Sequence, residues 1–160
     1  MAENQEASGQ QAPQFALQRI YIKDVSFESP NSPEIFQGEW SPKVSLDLNS
    51  SNRKLTDTQH EVVIALTVTA KVGEKTAFIV EIQQAGVFMI NGIEGPQLGQ
   101  TLGAFCPNIL FPYAREAIDN LVNKGSFPPL MLAPVNFDVI YAEALRRKQA
   151  EAGEQQDTAH

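Results

Sequence analysis

Few side chains in this 160-residue chain have the chemistry that catalysis requires. His60 stands beside Glu61 at the start of a strand-like segment, where an imidazole could act as a general base, but a lone histidine there is more often an ordinary surface residue. The other histidine, His160, is terminal. Cys106 lies at a candidate helix start, which can lower the pKa of a thiol, yet no histidine is near it and a small buried apolar role is expected. The chain therefore offers no histidine–cysteine pair for nucleophilic catalysis.

Metal and phosphate chemistry have equally little support. One cysteine and two histidines cannot form a conventional zinc site, so no cofactor is expected. The glycines between residues 91 and 103 match neither common phosphate-binding fingerprint. Asp24 and Glu28 could do acid–base work, but on an exposed strand face they are expected to be solvated charges or a docking site. The residues thus favour binding over catalysis, and a small α+β enzyme with an apolar pocket is the alternative from a different class.

The segment at residues 125–135 is strongly apolar and contains three prolines. Proline has no amide donor, so the segment can form neither a central strand nor a helix interior. It is expected to run extended, with Phe127, Leu130 and Leu132 on an irregular backbone. Such a loop either covers the edge of a core or lines a groove for an apolar ligand.

Composition and charge exclude several classes of protein. The chain is long enough for one domain with a real core, and 42% of its residues are hydrophobic. Its formal net charge of −7 argues against nucleic acid as a partner. A single cysteine fits a reducing compartment, and neither a signal peptide nor a bilayer-spanning segment is found, so a soluble cytoplasmic protein without membrane insertion is expected. Residues 1–14 and 148–160 lack apolar periodicity and are expected to be disordered tails.

Four strand-like segments come first in the chain. The first, residues 15–28, carries apolar residues on both faces, and near its end Asp24, Ser26 and Glu28 share one face. Residues 43–48 alternate cleanly, and residues 62–69 and 76–90 complete the set, with Gly86 as a candidate bulge. Short links between successive strands predict an antiparallel meander.

Helical patterns follow the strands. After a glycine-rich passage at residues 91–103, apolar residues recur at helical spacing up to Lys124–Gly125, which is typical of a helix end. Asn136 is expected to cap a second helix. This order predicts an α+β fold with helices packed on an antiparallel sheet. The apolar surface exceeds what one sheet face and two helices can bury, which indicates oligomerisation together with an open apolar surface.

Five stretches of the sequence closely resemble the SecB family of bacterial protein-export chaperones; they are residues 19–28, 83–88, 92–95, 106–116 and 132–138. The resemblance extends over residues 15–147. It implies a four-stranded antiparallel sheet followed by two helices joined by an extended apolar loop, assembled into a homotetramer that is a dimer of dimers. It also implies a protein that is not an enzyme. The implied function is ATP-independent holding of unfolded precursor proteins, which are delivered to the translocation motor SecA.

The resemblance also implies two sets of site residues. The client groove would be lined by Trp40, Val44, Leu46, Leu48, Phe127, Leu130, Leu132, Phe137, Tyr141 and Leu145. The zinc-bearing, basic C-terminal tail of SecA would dock on Asp24, Glu28, Ile79 and Glu81, and the zinc would belong to that partner. The nearest alternative is a SecB-like chaperone dedicated to a toxin–antitoxin system, which need not bind SecA.

Overall fold

The computed structural model describes residues 12–158, in which four antiparallel strands form one sheet. The strands are β1 (Gln14–Glu28), β2 (Lys43–Lys54), β3 (Gln59–Val72) and β4 (Lys75–Asn91), in the order β1-β4-β3-β2. The α+β expectation is therefore confirmed, but the meander holds only for β2 to β4. The connection after β1 at residues 29–42, which includes a short 3-10 helix, is long enough to cross the sheet, so β1 pairs with β4 at the far side.

The helices follow the sheet in the chain. They are α1 (Gly95–Gln100), a π-helical turn (Thr101–Phe105), α2 (Cys106–Lys124) and α3 (Phe137–Asp157). The first three run on without interruption, so the glycine-rich passage expected to be a connection is helical from Gly95.

The wide turn explains how this helix continues past a proline. The N–H of Cys106 donates to the carbonyl of Thr101, five residues earlier, which is the π-helical spacing. Pro107 follows at once and has no N–H with which to continue the usual ladder. Cys106 consequently lies inside a continuous helix rather than at a free N-terminus, contrary to the expected helix start there.

The C-terminal segment is helical up to Asp157. Residues 148–160 were expected to be disordered, but α3 continues to Asp157 with its later side chains all exposed. This stretch is rich in alanine, glutamate and glutamine, which favour a helix by propensity alone without an apolar stripe. Within the expected N-terminal tail, Gln14 already belongs to β1; residues 1–11 and 159–160 lie outside the described part of the chain.

Two bulges decide which way the side chains of β1 point. The register shifts between Leu17 and Arg19 and again between Ile22 and Asp24. Each extra residue reverses the alternation, because side chains in a strand change face with a period of two. The expectation of a strand apolar on both faces is therefore wrong. Its apolar side chains mainly share the helix side of the sheet, and they are Phe15, Leu17, Ile20, Ile22, Val25 and Phe27.

The core lies between this side of the sheet and α2. Alternate residues of β3 and β4 are fully buried there against the inner face of α2. A Cβ atom built on Gly86 would lie 3.0 Å from Leu110 Cδ2. Gly86 is thus needed for the close approach of α2 to the sheet, and it does not mark the bulge that was expected in β4.

Candidate functional site

Three apolar residues of β2 project on the same side of the sheet as the helices. Val44, Leu46 and Leu48 each stand opposite a buried residue of β3. β2 is an edge strand, and no described residue pairs beyond it. Val44 and Leu46 are consequently exposed, while Leu48 is half-buried.

The N-terminal end of the proline-rich loop is anchored by an aromatic cluster. Phe127 is buried, and the centroids of four other rings lie within 6.5 Å of its own. They belong to Phe78 at 5.0 Å, Phe36 at 5.2 Å, Trp40 at 5.4 Å and Phe27 at 6.5 Å. Phe127 therefore contributes to the core, and Trp40 is the half-buried ring at the margin of this cluster.

The loop beyond Phe127 has no regular structure, as its prolines predicted. Leu130 and Leu132 are half-buried and pack against the core. Between them Met131 adopts a left-handed backbone (φ 48°) and leaves 80% of its surface exposed. The left-handed residue turns one side chain outwards while its two neighbours stay in contact with the protein.

The other end of the loop leads into α3, whose first turns pack on the π-helical region. Phe137 is buried against Phe111 at a centroid distance of 5.9 Å. The ring of Tyr141 lies over two glycines: a Cβ atom on Gly103 would be 2.3 Å from its Cδ2, and one on Gly99 would be 2.6 Å from its hydroxyl. A cavity of about 260 Å³ follows, lined by Leu48, Phe137, Ile140, Tyr141 and other residues.

The residues predicted for the client groove fall into two groups in the structure. Phe127 and Phe137 are buried and hold the two ends of the loop. The rest are exposed or half-buried. They come from β2 and the residues just before it, from the proline-rich loop and from the N-terminal part of α3: Trp40, Val44, Leu46, Leu48, Leu130, Leu132, Tyr141 and Leu145.

We expect Gly103→Ala to weaken the packing of α3 on the π-helical turn. The added methyl group would overlap the Tyr141 ring, so the ring must leave its place between the glycines. The variant should lose about 1–3 kcal/mol of stability in urea unfolding. Gly153→Ala, in the exposed part of α3 with open space around it, should be neutral or slightly stabilising and serves as the control. Equal stability of the two variants would contradict this packing.

The opposite face of the sheet carries an acidic row. Asp24 stands opposite Gln83, Ser26 opposite Glu81, and Glu28 opposite Ile79, so that the three carboxylates share one face. We call Asp24, Glu28 and Glu81 the acidic row. All three side chains are exposed, and none forms an ion pair within residues 12–158.

Next to this row lies a buried carboxylate that the sequence analysis missed. Glu61 has only 7% of its side chain exposed and accepts hydrogen bonds from Tyr21, Lys23 and Arg53. We call these four residues the Glu61 cluster. The alternation of β3 carried little signal for this burial, because the face of Glu61 otherwise holds small, β-branched and polar residues, with Lys71 as a second charge.

The Glu61 cluster shifts the pKa values of two of its members. The hydrogen bond from Tyr21, with those from Arg53 and Lys23, lowers the pKa of Glu61 to about 2 although burial opposes the shift. Burial, and then the hydrogen bond to Glu61, raise the pKa of Tyr21 to about 12. The arrangement therefore favours an ionised Glu61 beside a protonated Tyr21 at neutral pH.

His60 and Cys106 are both buried. The expectation of an ordinary surface position for His60 is wrong, because it projects to the helix side opposite Phe88. Burial lowers the pKa of His60, and its Nδ1 has no hydrogen-bond partner among the described residues. Burial also raises the pKa of the Cys106 thiol to about 12, which is the inert apolar role predicted for it.

These shifts predict how stability changes with pH. Because the pKa of Glu61 is lowered from its ordinary 4.5 to about 2, its stabilisation is present above pH 4.5 and is lost as the pH falls towards 2. His60 adds a loss of the same sign that begins below pH 6.5. We expect the urea midpoint to fall below pH 6.5 and again below pH 4.5, and His60→Leu to remove only the first decline. A midpoint that is flat from pH 7 to pH 3 would contradict both assignments.

Residues 8–148 match the sequence profile of the family described as "SecB: Preprotein translocase subunit SecB". The chain belongs to the SecB family. The protein-export protein SecB of Marinobacter nauticus is 75% identical over 155 residues, covering 95% of this chain and 94% of the relative. That of Hahella chejuensis is 68% identical over 151 residues, covering 94% of each.

A solved SecB-like structure shares the fold. It is the SecB-like chaperone of Mycobacterium tuberculosis in complex with a ChAD peptide from the HigA1 antitoxin, with a TM-score of 0.64 and 16% identity over 76% of this chain and 90% of that one. The protein-export relatives are far more similar in sequence, so the comparisons support a chaperone of protein export and do not favour a dedicated toxin–antitoxin chaperone. SecB is a family of chaperones rather than of enzymes. No helix within residues 12–158 is long and apolar enough to cross a membrane.

Proposed function

We propose that this SecB-family chain is an ATP-independent holdase that keeps precursor proteins unfolded in the cytoplasm and passes them to SecA. The observation that carries the proposal is the row of apolar side chains along the unpaired edge of β2, beside a half-buried apolar loop. A monomeric soluble protein seldom leaves such a surface open unless something binds there.

The chemistry of this groove suits unfolded chains. Apolar burial is non-directional, so many different sequences can occupy the same wall. Each fully buried client side chain contributes about 1.5–3 kcal/mol, and several must be engaged together to outweigh the ordering of the client. A folded protein presents no extended apolar run, which supplies the discrimination between unfolded and folded clients.

The acidic row supports docking of SecA on the opposite face. Three exposed carboxylates outside any described ion pair form a negative surface that suits the basic, zinc-bearing C-terminal tail of that motor. Ile79, opposite Glu28, adds a half-buried apolar contact. Because the row and the groove lie on different faces of the sheet, a client and SecA could be bound at the same time.

Exposed apolar side chains on β1, the π-helical turn and α2 support assembly into a homotetramer as a dimer of dimers. Ile22 and Val25 are exposed on the edge strand β1, and Phe105 and Tyr113 are exposed along the helix. Burying such residues between copies would offset the cost of leaving them in water. Multi-angle light scattering should give four times the mass of the chain.

The function is tested by mixing the protein with a freshly diluted unfolded precursor, and separately with the folded form, without ATP. Size-exclusion chromatography with light scattering should show a soluble complex with the unfolded form alone. If neither form is retained, the groove does not bind clients and the loop only covers the core.

Leu46→Asp is expected to weaken client binding about tenfold or more, because it puts a charge in the middle of the apolar wall. Leu46 is 36% exposed, so the fold should tolerate the change. Leu55→Asp is the matched control, since Leu55 is 41% exposed in the β2–β3 loop outside the proposed groove. Client affinity is measured by fluorescence anisotropy. An equal loss in the two variants would show that the wall along β2 has no special role.

A further inference from the structure

The Glu61 cluster is a costly feature that neither client binding nor the packing of the helices explains. A buried carboxylate is tolerated only where its partners replace the water that it has lost. Lys23 Nζ lies 3.1 Å and 3.2 Å from the two carboxylate oxygens of Glu61, and Arg53 Nε lies 3.1 Å from Oε1. The lysine therefore engages both oxygens of the carboxylate at once.

The position of Lys23 gives this contact a consequence for the acidic row. Lys23 occupies the second bulge of β1 and immediately precedes Asp24, the first member of the row. Gln83, which stands opposite Asp24, also lines a cavity of about 310 Å³ together with Lys23 and Glu61. The Glu61 cluster and the acidic row are thus parts of one continuous surface on the open face of the sheet.

We propose that Glu61 is a positioning residue for docking, which holds the Lys23 ammonium group away from the acidic row. Released from Glu61, the long and flexible lysine side chain would pair with Asp24 or Glu81 and reduce the negative charge that a basic partner meets. With Lys23 held, the three carboxylates remain available to the partner. The inference rests on the proposed docking of the zinc-bearing SecA tail, and it adds a residue that does not touch that tail.

The test measures the affinity of the full-length protein for the zinc-loaded C-terminal peptide of SecA by titration calorimetry at low ionic strength. Glu61→Gln should weaken binding roughly three- to tenfold, because one cation is released beside the acidic row. Lys23→Met should stay within about twofold of the unmodified protein, since its cation is already held. The double variant Glu61→Gln/Lys23→Met, which restores the original net charge, should recover the affinity.

The recovery separates positioning from a merely structural role. If the double variant binds as weakly as Glu61→Gln, or if Glu61→Gln binds as well as the unmodified protein, the inference is overturned. Should the unmodified protein itself fail to bind the peptide, the docking proposal fails first and this inference with it. Retention of unfolded precursor by every variant reports that the groove is intact. If Glu61→Gln does not fold, Glu61→Asp, which draws the carboxylate back from Lys23, is compared with its own Lys23→Met double variant.

Discussion

Glu81→Lys is expected to abolish measurable binding of the SecA tail at physiological salt while client capture stays intact. The substitution replaces the central carboxylate of the acidic row with a cation, so attraction for a basic partner becomes repulsion, a loss on the order of 100-fold. The row lies on the face away from the groove, and Glu81 is exposed, so neither the fold nor the apolar wall is disturbed. Calorimetry with the zinc-loaded peptide measures the first effect, and chromatography with an unfolded precursor measures the second.

Asp57→Lys makes the same charge reversal at a fully exposed site in the β2–β3 loop, remote from the acidic row. It should lower peptide affinity only slightly, by its effect on the overall field. Raising the salt concentration should weaken peptide binding to the unmodified protein and narrow the difference between the two variants. If both variants lost the peptide equally, net charge rather than the acidic row would explain docking. If Glu81→Lys lost clients and peptide together, the cause would be a folding defect.

Phe127→Ala is expected to cost about 3–5 kcal/mol of stability. The ring is buried among four others, so its removal leaves a cavity that rigid aromatic neighbours cannot close. The N-terminal end of the loop loses its anchor at the same time, and client affinity should fall because Leu130 and Leu132 are no longer held in place. Urea unfolding measures the loss of stability. Fluorescence anisotropy of a labelled client, on the same samples and below the melting temperature, measures the loss of client affinity.

Phe36→Ala provides the comparison, since Phe36 contacts the same ring at 5.2 Å but is itself exposed. It should cost only about 1 kcal/mol, because nearly half of its surface is already in water. A Phe127→Ala variant as stable as Phe36→Ala would mean that the loop is not anchored by this ring.

Local patterns in the sequence predicted the parts of the fold that local chemistry determines. Alternation in β2 gave the face of Val44, Leu46 and Leu48, because side chains in a strand change face with a period of two. The second helix begins where expected, with the Asn136 side chain accepting a hydrogen bond from the N–H of Val139 at 3.2 Å. The helix end at Lys124 was also predicted, but the left-handed residue that follows it is Ser126 (φ 66°) and not Gly125 (φ −77°).

Features that depend on distant partners were predicted less well. The bulges of β1 follow from its pairing with β4, and no residue pattern within β1 predicts them. Gly99 and Gly103 were read as part of a connecting passage, because the ring that needs their space, Tyr141, comes about forty residues later. The Glu61 cluster draws on three strands. Because the partners of Glu61 are distant from it in the sequence, no local pattern shows that this carboxylate is buried.

The strand order also has a consequence for synthesis on the ribosome. β1 emerges first, yet it pairs only with β4, from Gln14 opposite Asn91 to Glu28 opposite Ile79, whereas β2, β3 and β4 can pair as successive hairpins. Such a long-range pairing forms late, because the entropy cost of closing a long loop comes before any stabilising contact between the two strands. The acidic row needs residues of both β1 and β4, so it is complete only when the first strand has joined the last. A nascent chain of this protein therefore cannot present the complete acidic row before its own sheet is finished.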